Sequence, residues 1–411
     1  MFKAKIKKQD LIALFLCFSF IPVYAIQLII GSNGYLVLML LSGTYVVFRA
    51  IADKQIMKSF LFWSWFLLML WMMLCSFIGN QNVIYSVYYV GKVALWFLAN
   101  DLYLNKGSIK LLQVSRKYVG IIIIITFIQQ IIAPGLFGVV AGSGNMKTFF
   151  ASDNFLGYYY TAYIALCFIL DFVEFGEPKA KSYVMTGVCM ASIMISWAVK
   201  NVIGIGLLIL YIVFVYRKKI SKFFGPRTLI IAFLVIFVGI VFMNVQQNFS
   251  NIIGMVFDKD STFSVRYYLW TQAVQNIKAS PIFGYGIAEG AHLQLQYNFS
   301  GNARSSHNLI LELTIQGGII GSLIYFASVI RCLIHNERKF KGNYSYEFLF
   351  LVFNVFLFFL IQMGSGSIYY PFYYMPLILI DNLDNIVKIQ SGLHRGIKSN
   401  GKKTHLFSHK L

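Results

Sequence analysis

Charge, and acidic charge above all, is what this 411-residue chain has least of: Asp, Glu, Lys and Arg together make 12%, with 15 acidic residues against 35 basic ones. A soluble domain carries about 25% charged residues, so 58% hydrophobic content with so little charge excludes a water-facing globular surface. Paired cysteine spacing is absent too. Cys17, Cys75, Cys167, Cys189 and Cys332 each lie in or at the end of an apolar run, which excludes a disulfide framework or a structural zinc site and leaves them as small packing residues. Short alternating strands are missing, so a membrane barrel is excluded as well.

What is present is a series of long apolar runs joined by short basic links. Backbone groups facing lipid must be satisfied within their own segment, so these runs predict helices. The expected fold is an all-α polytopic integral membrane protein, a single domain over residues 1–411, with about twelve transmembrane helices. The spans are expected near residues 10–30, 34–49, 59–78, 83–100, 118–133, 154–173, 182–199, 202–216, 228–244, 307–331, 347–363 and 369–385. The run after MFKAKIKKQD reaches Val23-Tyr24-Ala25, a small-residue pattern like a signal-peptidase site. Hydrophobicity continues through Ile30, however, which predicts a retained first span.

The net charge of +20 does not point to nucleic acid, because the basic residues sit in the links between spans. With the N-terminus inside, 28 of the 35 basic residues fall in cytoplasmic segments, including RKKISKFFGPR at 217–227 and a basic tail over 386–411. The distribution predicts an even number of spans with both termini cytoplasmic. Lys92 lies inside a span, where a charge defaults to a cavity or functional role. Only Lys147, Lys200, Lys259, Arg266, Lys278 and Arg304 are left for the outer face.

One connection departs from the rest. Residues 245–306, between the ninth and tenth spans, form a long extracytoplasmic loop, and loops of that length in compact folds are functional or disordered. Apolar Val265, Leu269, Ala273 and Ile277 recur every four residues between Phe263 and Lys278, predicting an amphipathic helix ended by Pro281 and followed by a Gly284-Tyr285-Gly286 turn. Asp258-Lys259-Asp260 has the acidic spacing of a metal-binding pair, but the nucleotide domain that uses such a pair is absent, and a solvated loop is its reading. Asn298-Phe299-Ser300 matches a glycosylation acceptor that is uninformative in a bacterial host.

After the loop comes SSHNLILELTIQGGIIG, residues 305–321. Ser305 or Ser306 is expected to cap a helix starting at His307, with Arg304 just before it. Helix-start N–H groups with an adjacent arginine make an anion site, and a histidine there titrates near neutral pH or donates to an anion. Asn308 and Glu312 are four apart, share a face and can bond each other. Gly317 and Gly321 have the spacing that lets another helix approach, with Gly318 beside them. Taken singly, an arginine at a membrane surface is a headgroup-binding or solvated residue, and a histidine at a helix start is an end cap. The joint placement of Lys200, Arg266, Arg304 and His307 on a face where basic residues are scarce favours a shared role.

The run SVRYYLWTQAVQNIKASPIFGYG (264–286) followed by SSHNLILELTIQGGIIG resembles the O-antigen ligase and polysaccharide polymerase superfamily. Arg266, Trp270, Pro281, Gly284, Gly286, His307, Asn308, Gly318 and Gly321 match its pattern in order, within a motif region at 264–330. Ser152-Asp153-Asn154-Phe155 looks like that family's asparagine-containing start of a mid-chain span. In Ser196-Trp197-Ala198-Val199-Lys200, a lysine stands where many members carry a serine-arginine pair, which keeps the cation and loses the two-pronged fork.

The resemblance implies a metal-independent, inverting membrane glycosyltransferase with no cofactor, acting on glycans carried on a polyprenyl diphosphate. It implies catalytic roles for His307, Arg266 and Arg304 and diphosphate binding by Lys200, Arg266, Arg304 and Asn308. Trp270, Glu312, Gly284, Gly286, Gly318, Gly321 and Asn154 are then supporting residues. Polymerisation of repeat units for a capsule, exopolysaccharide or O-antigen is the leading expectation. A ligase transferring finished glycan to another acceptor is the close rival. The implied partners are the bilayer and the lipid-linked substrate, with a flippase and a chain-length regulator as protein candidates and no nucleic acid. A secondary transporter is the reading from another class. Against it stand the lack of a repeated half and of paired midplane charges.

Overall fold

The computed structural model describes residues 8–139, 146–216, 224–241, 262–288, 305–340, 345–364 and 366–399, with side chains described except at 262–268, 345 and 393–399. Among these residues the chain is helical, with two isolated bridges, Val139 to Met146 and Lys147 to Ser152, and no strand. The helices are α1 (Lys8–Phe20), α2 (Tyr24–Ala52), α3 (Phe60–Ile78), α4 (Val83–Leu104), α5 (Lys110–Ile132), α6 (Asp153–Phe175) and α7 (Ala180–Ser196). They continue with α8 (Val199–Tyr216), α9 (Pro226–Val241), α10 (Thr262–Ala279), α11 (Leu309–Lys339), α12 (Ser345–Gln362), α13 (Met375–Asp381) and α14 (Leu383–Ser399).

Seven of these, α2, α3, α4, α5, α6, α8 and α11, are long and apolar enough to cross a membrane, and α7, α9 and most of α12 are shorter apolar helices. Their outer surface is inverted relative to a soluble protein. Ile29, Phe48, Phe77 and Ile132 are 73–82% exposed, and only a lipid solvent makes such a belt stable. Polar groups turn inward instead. The most apolar window of α6 lies wholly inside the protein, so this helix is surrounded by its neighbours rather than by lipid.

Two expected spans differ in shape. The first helix ends at Phe20 and not near residue 30, because Pro22 cannot donate and disfavours helical geometry at Ile21. Helix α2 then starts at Tyr24, and its first N–H groups are taken up by the Phe150 carbonyl (Tyr24, 2.8 Å) and the Phe149 carbonyl (Ala25, 3.1 Å). It continues through a kink at Gly31, φ 68°, where a link between spans had been expected.

The last expected span, 369–385, is not one helix. Gln362 is followed by a non-helical strap, described at residues 364 and 366–370, then a 3-10 turn at Pro371–Tyr374 and the short α13. Gly366 has φ 73°, and Pro371 and Pro376 interrupt helix propagation. Non-helical backbone in a membrane protein persists only where protein satisfies it. Here Gln362 serves Ser367 on both sides, donating from Nε2 to its carbonyl (2.5 Å) and accepting from its N–H at Oε1 (3.0 Å), while the Tyr374 hydroxyl donates to the Ile368 carbonyl (3.0 Å).

We call the end of the bundle where α3 finishes and α11 begins the site end. At the opposite end Asp171 of α6 accepts from Arg116 Nη1 (2.9 Å), the Lys179 N–H (2.8 Å) and Ser182 Oγ (2.6 Å), and Arg116 also pairs with Glu174 (3.0 Å). Nearby on the same end, Lys106 bonded to Asp53 holds that carboxyl below the usual carboxylate range. Asp171 ties α5, α6 and α7 and is buried. Asp171→Ala is therefore expected to cost about 2–3 kcal/mol, read as a lowered thermal unfolding midpoint in detergent; a midpoint equal to wild type contradicts this account of the far end.

Candidate functional site

The start of α11 is built differently from the expectation that Ser305 or Ser306 caps a helix beginning at His307. Asn308 is the cap: its Oδ1 accepts from the N–H groups of Ile310 (3.1 Å) and Leu311 (3.3 Å), and the helix begins at Leu309. Asn308 has extended backbone and two serines precede the pair, which moves the cap past the histidine. His307 is left in the turn, exposed, with φ 51°. A non-glycine residue there carries about 1–2 kcal/mol of strain, so the turn needs fixing from below.

Glu312 supplies that fixing. One oxygen, Oε2, accepts from Ser305 Oγ (3.2 Å), Ser306 Oγ (3.0 Å) and the Ser306 N–H (2.9 Å), while Oε1 accepts from Gln316 Nε2 (3.0 Å). The expected side-chain bond from Asn308 to Glu312 does not form, since Asn308 Oδ1 is committed to the cap. Gln316 in turn accepts from the Tyr369 hydroxyl on the strap. Trp270 of α10 donates from Nε1 to the Ser306 carbonyl (3.0 Å), fastening that helix to the same turn. Position 266 is four residues before Trp270, one helical turn away on the same face.

Gly284 and Gly286 dock the segment after α10 onto α11. Gly318 breaks α11 with φ 62° and ψ −171°, and the opened backbone pairs with the docking segment: Tyr285 N–H to the Ile315 carbonyl (2.8 Å), Gly286 N–H to the Gln316 carbonyl (2.8 Å) and Ile319 N–H to the Pro281 carbonyl (2.8 Å). A Cβ at Gly318 would overlap the Ile282 carbonyl, and one at Gly286 would overlap Ser76 of α3. The Ser76 hydroxyl also accepts from the Ile287 N–H (3.0 Å). Gly317 and Gly321 face Met72 and Trp71 of α3, with Trp71 Nε1 donating to the Gly317 carbonyl (2.7 Å).

Lys200, at the start of α8, reaches the strap. Its Nζ donates to the Gly364 carbonyl (3.2 Å) and to the Tyr158 hydroxyl (3.4 Å), and Gly366, two residues on, abuts the backbone of Asn308. Asn154 is half-buried in the first turn of α6, beside Asp153, whose carbonyl accepts from Asn201 Nδ2 (2.8 Å). Arg304 and the Asp258 to Asp260 pair lie outside the described residues, as does most of the 245–306 loop, and the Arg266 side chain is likewise not described. The structure thus brings His307, Asn308, Glu312, Trp270, Lys200 and the three docking glycines to one end of the bundle. Sequence reasoning missed Ser305, Ser306 and Gln316 as partners of Glu312, and the strap altogether. The signal for the strap was present as Gly364, Gly366, Pro371 and Pro376 within one apolar run.

Residues 183–326 match the family model described as O-Antigen ligase. The matched stretch runs from α7 to the first half of α11 and includes Lys200, Trp270, Gly284, Gly286, His307, Asn308, Glu312, Gly318 and Gly321, with Asn154 before it. The match, over about a third of the chain, supports the resemblance to the O-antigen ligase and polysaccharide polymerase superfamily. No curated protein matches the chain.

Two glycines three residues apart give a sharp test of the break in α11. Gly318→Ala is expected to cost about 2 kcal/mol or more, because the new Cβ meets backbone at a positive φ. Gly321→Ala, where the Cβ meets only the side chains of Trp71 and Met72, should stay within about 1 kcal/mol of wild type. Equal thermal stability of the two variants would show that the break is not enforced at Gly318.

Proposed function

We propose that this chain polymerises oligosaccharide repeat units carried on a polyprenyl diphosphate, at the outer face of a bacterial cytoplasmic membrane. The family match supports membrane glycosyl transfer of the ligase or polymerase kind. The observation that carries the reading to residues is the His307 turn, held by Glu312 and Trp270 so that an exposed imidazole stands where α10, α11 and the strap meet. Basic residues concentrated in alternate links favour cytoplasmic termini and an extracytoplasmic site.

In this reading an acceptor sugar hydroxyl attacks the anomeric carbon of the donor from the face opposite the diphosphate. The carbon to diphosphate bond breaks, the configuration inverts, and the hydroxyl proton passes to a base. Negative charge grows on the departing diphosphate, and preorganised cations stabilise it most where water is excluded. Arg266, Arg304 and Lys200 supply that charge. Asn308 adds its Nδ2, a buried donor with no partner among the described residues. His307 either takes the proton or binds the anion. Trp270, Glu312, Asn154 and the glycines hold these groups in place. The metal-independence and inversion are carried over from the resemblance.

A ligase uses the same donor and differs only in its acceptor, and the family match covers both. One reconstitution separates the possibilities: purified protein in vesicles with lipid-linked repeat units, with and without a non-repeat acceptor such as a lipid A core, in the presence of a chelator. Polymerisation predicts a ladder of repeat units without the second acceptor, and chelation leaves it intact. Losses of about 100-fold or more are expected for His307→Ala, Arg266→Ala and Arg304→Ala. Glycan found only on the added acceptor would make the chain a ligase. Unchanged ladders in all three folded variants would overturn the residue assignment.

A further inference from the structure

Lys92 has no place in the chemistry just described, yet it is the membrane-embedded cation that the packing treats most unusually. It follows a π-turn at Val87–Gly91, one turn into α4. Its Nζ lies 4.8 Å from the centre of the Tyr88 ring, 5.1 Å from Tyr89 and 5.7 Å from Tyr370. Neither a carboxylate nor any hydrogen-bond acceptor reaches it among the described residues. Three aromatic faces attract a desolvated cation, which offsets the cost of placing a lysine inside a span. The charge is therefore tolerated while all three N–H donors remain open. A lysine whose purpose were packing would be held by an acceptor; this one is held by rings that leave its donors to something else.

The surroundings say what that is. Lys92, Tyr88, Tyr89 and Tyr370 are each half-buried, so none of the four belongs to the fully buried core. The cage is also coupled to the site end. Tyr89 packs on Tyr369 (5.4 Å), and Tyr369 donates to Gln316, which donates to Glu312 beneath the His307 turn. Tyr370 and Gly364 belong to one strap, so Lys92 and Lys200 approach the same strap from α4 and α8. A π-turn directly before the cation is the kind of helix irregularity that accompanies functional sites.

We propose that Lys92, within the cage of Tyr88, Tyr89 and Tyr370, is a receptor for the phosphate groups of a lipid-borne diphosphate. The site draws the headgroup in beside the strap below the His307 turn. Its ammonium supplies three donors and a full charge to phosphate oxygens, and the half-buried rings line the approach with apolar faces that suit a prenyl stem. The assignment rests on the reading of the chain as an enzyme of lipid-linked glycans. It adds a cation on the first third of the chain, outside the stretch that matches the family.

The test is binding to protein held in phosphatidylcholine nanodiscs, with polyprenyl diphosphate as probe and polyprenol and phosphatidylglycerol as the other arms. Wild type is expected to bind the diphosphate. Lys92→Met should weaken it at least tenfold, Lys92→Arg should restore most of the loss, and polyprenol binding should be the same in all three. Undiminished diphosphate binding by a Lys92→Met variant with wild-type thermal stability overturns the proposal. So does an equal Lys92-dependent affinity for phosphatidylglycerol, which would make the site a general headgroup contact. A parallel glycan-transfer assay keeps the two readings apart. Lys92-dependent binding without any glycan transfer would sink the enzyme reading alone, and transfer with Lys92-independent binding would sink this one alone.

Discussion

In lipid, every backbone N–H and C=O has to find its partner inside the protein, and the places where this chain leaves helical geometry are where that constraint shapes it. At Gly318 the opened ladder of α11 is closed by the segment from Pro281 to Gly286. Along the strap, Gln362 takes over both groups of Ser367. At Pro22 the first N–H groups of α2 go to the carbonyls of Phe149 and Phe150. Each break is thus closed by groups outside it, and at Gly318 the closing segment carries the candidate-site residues Gly284 and Gly286. The breaks are how a bundle of otherwise closed helices presents reactive groups at one end.

Glu312 converts that architecture into a defined surface. Taking a carboxylate out of water costs several kcal/mol, and charge-assisted hydrogen bonds return about 1.5–3 kcal/mol each. Four donors converge on it, three of them from Ser305 and Ser306 of the turn, which ties the backbone before His307 to α11. The strain of a left-handed histidine is held by a buried charge one helical turn below. Donors aimed beforehand do not have to reorganise as charge develops, which is the chief way such a site lowers a barrier.

Much of this was legible in the sequence, for reasons that can be named. The helical membrane class follows from apolar runs with basic links, and the order Trp270, Pro281, Gly284, Gly286, His307, Asn308, Gly318, Gly321 carries the family resemblance. The cap was misplaced because Ser305, Ser306 and Asn308 are all good caps, and only the demand of Glu312 for the two serines decides among them. The strap stayed hidden because its residues are as apolar as those of a span. Hydropathy reads burial and not backbone conformation, and the glycines and prolines that set the conformation are few. The cage around Lys92 joins residue 370 to residues 88–92 and is set by packing between distant segments, which no local pattern records.

Glu312 acts through His307, as the anchor of the turn that carries the imidazole. A double-mutant cycle on glycan transfer from a polyprenyl-diphosphate donor tests it directly, using Glu312→Gln, His307→Ala and the pair together. Each single substitution is expected to slow transfer, and the double variant to be no slower than His307→Ala alone. Losses that multiply in the double variant would mean the two residues act independently, and would contradict it.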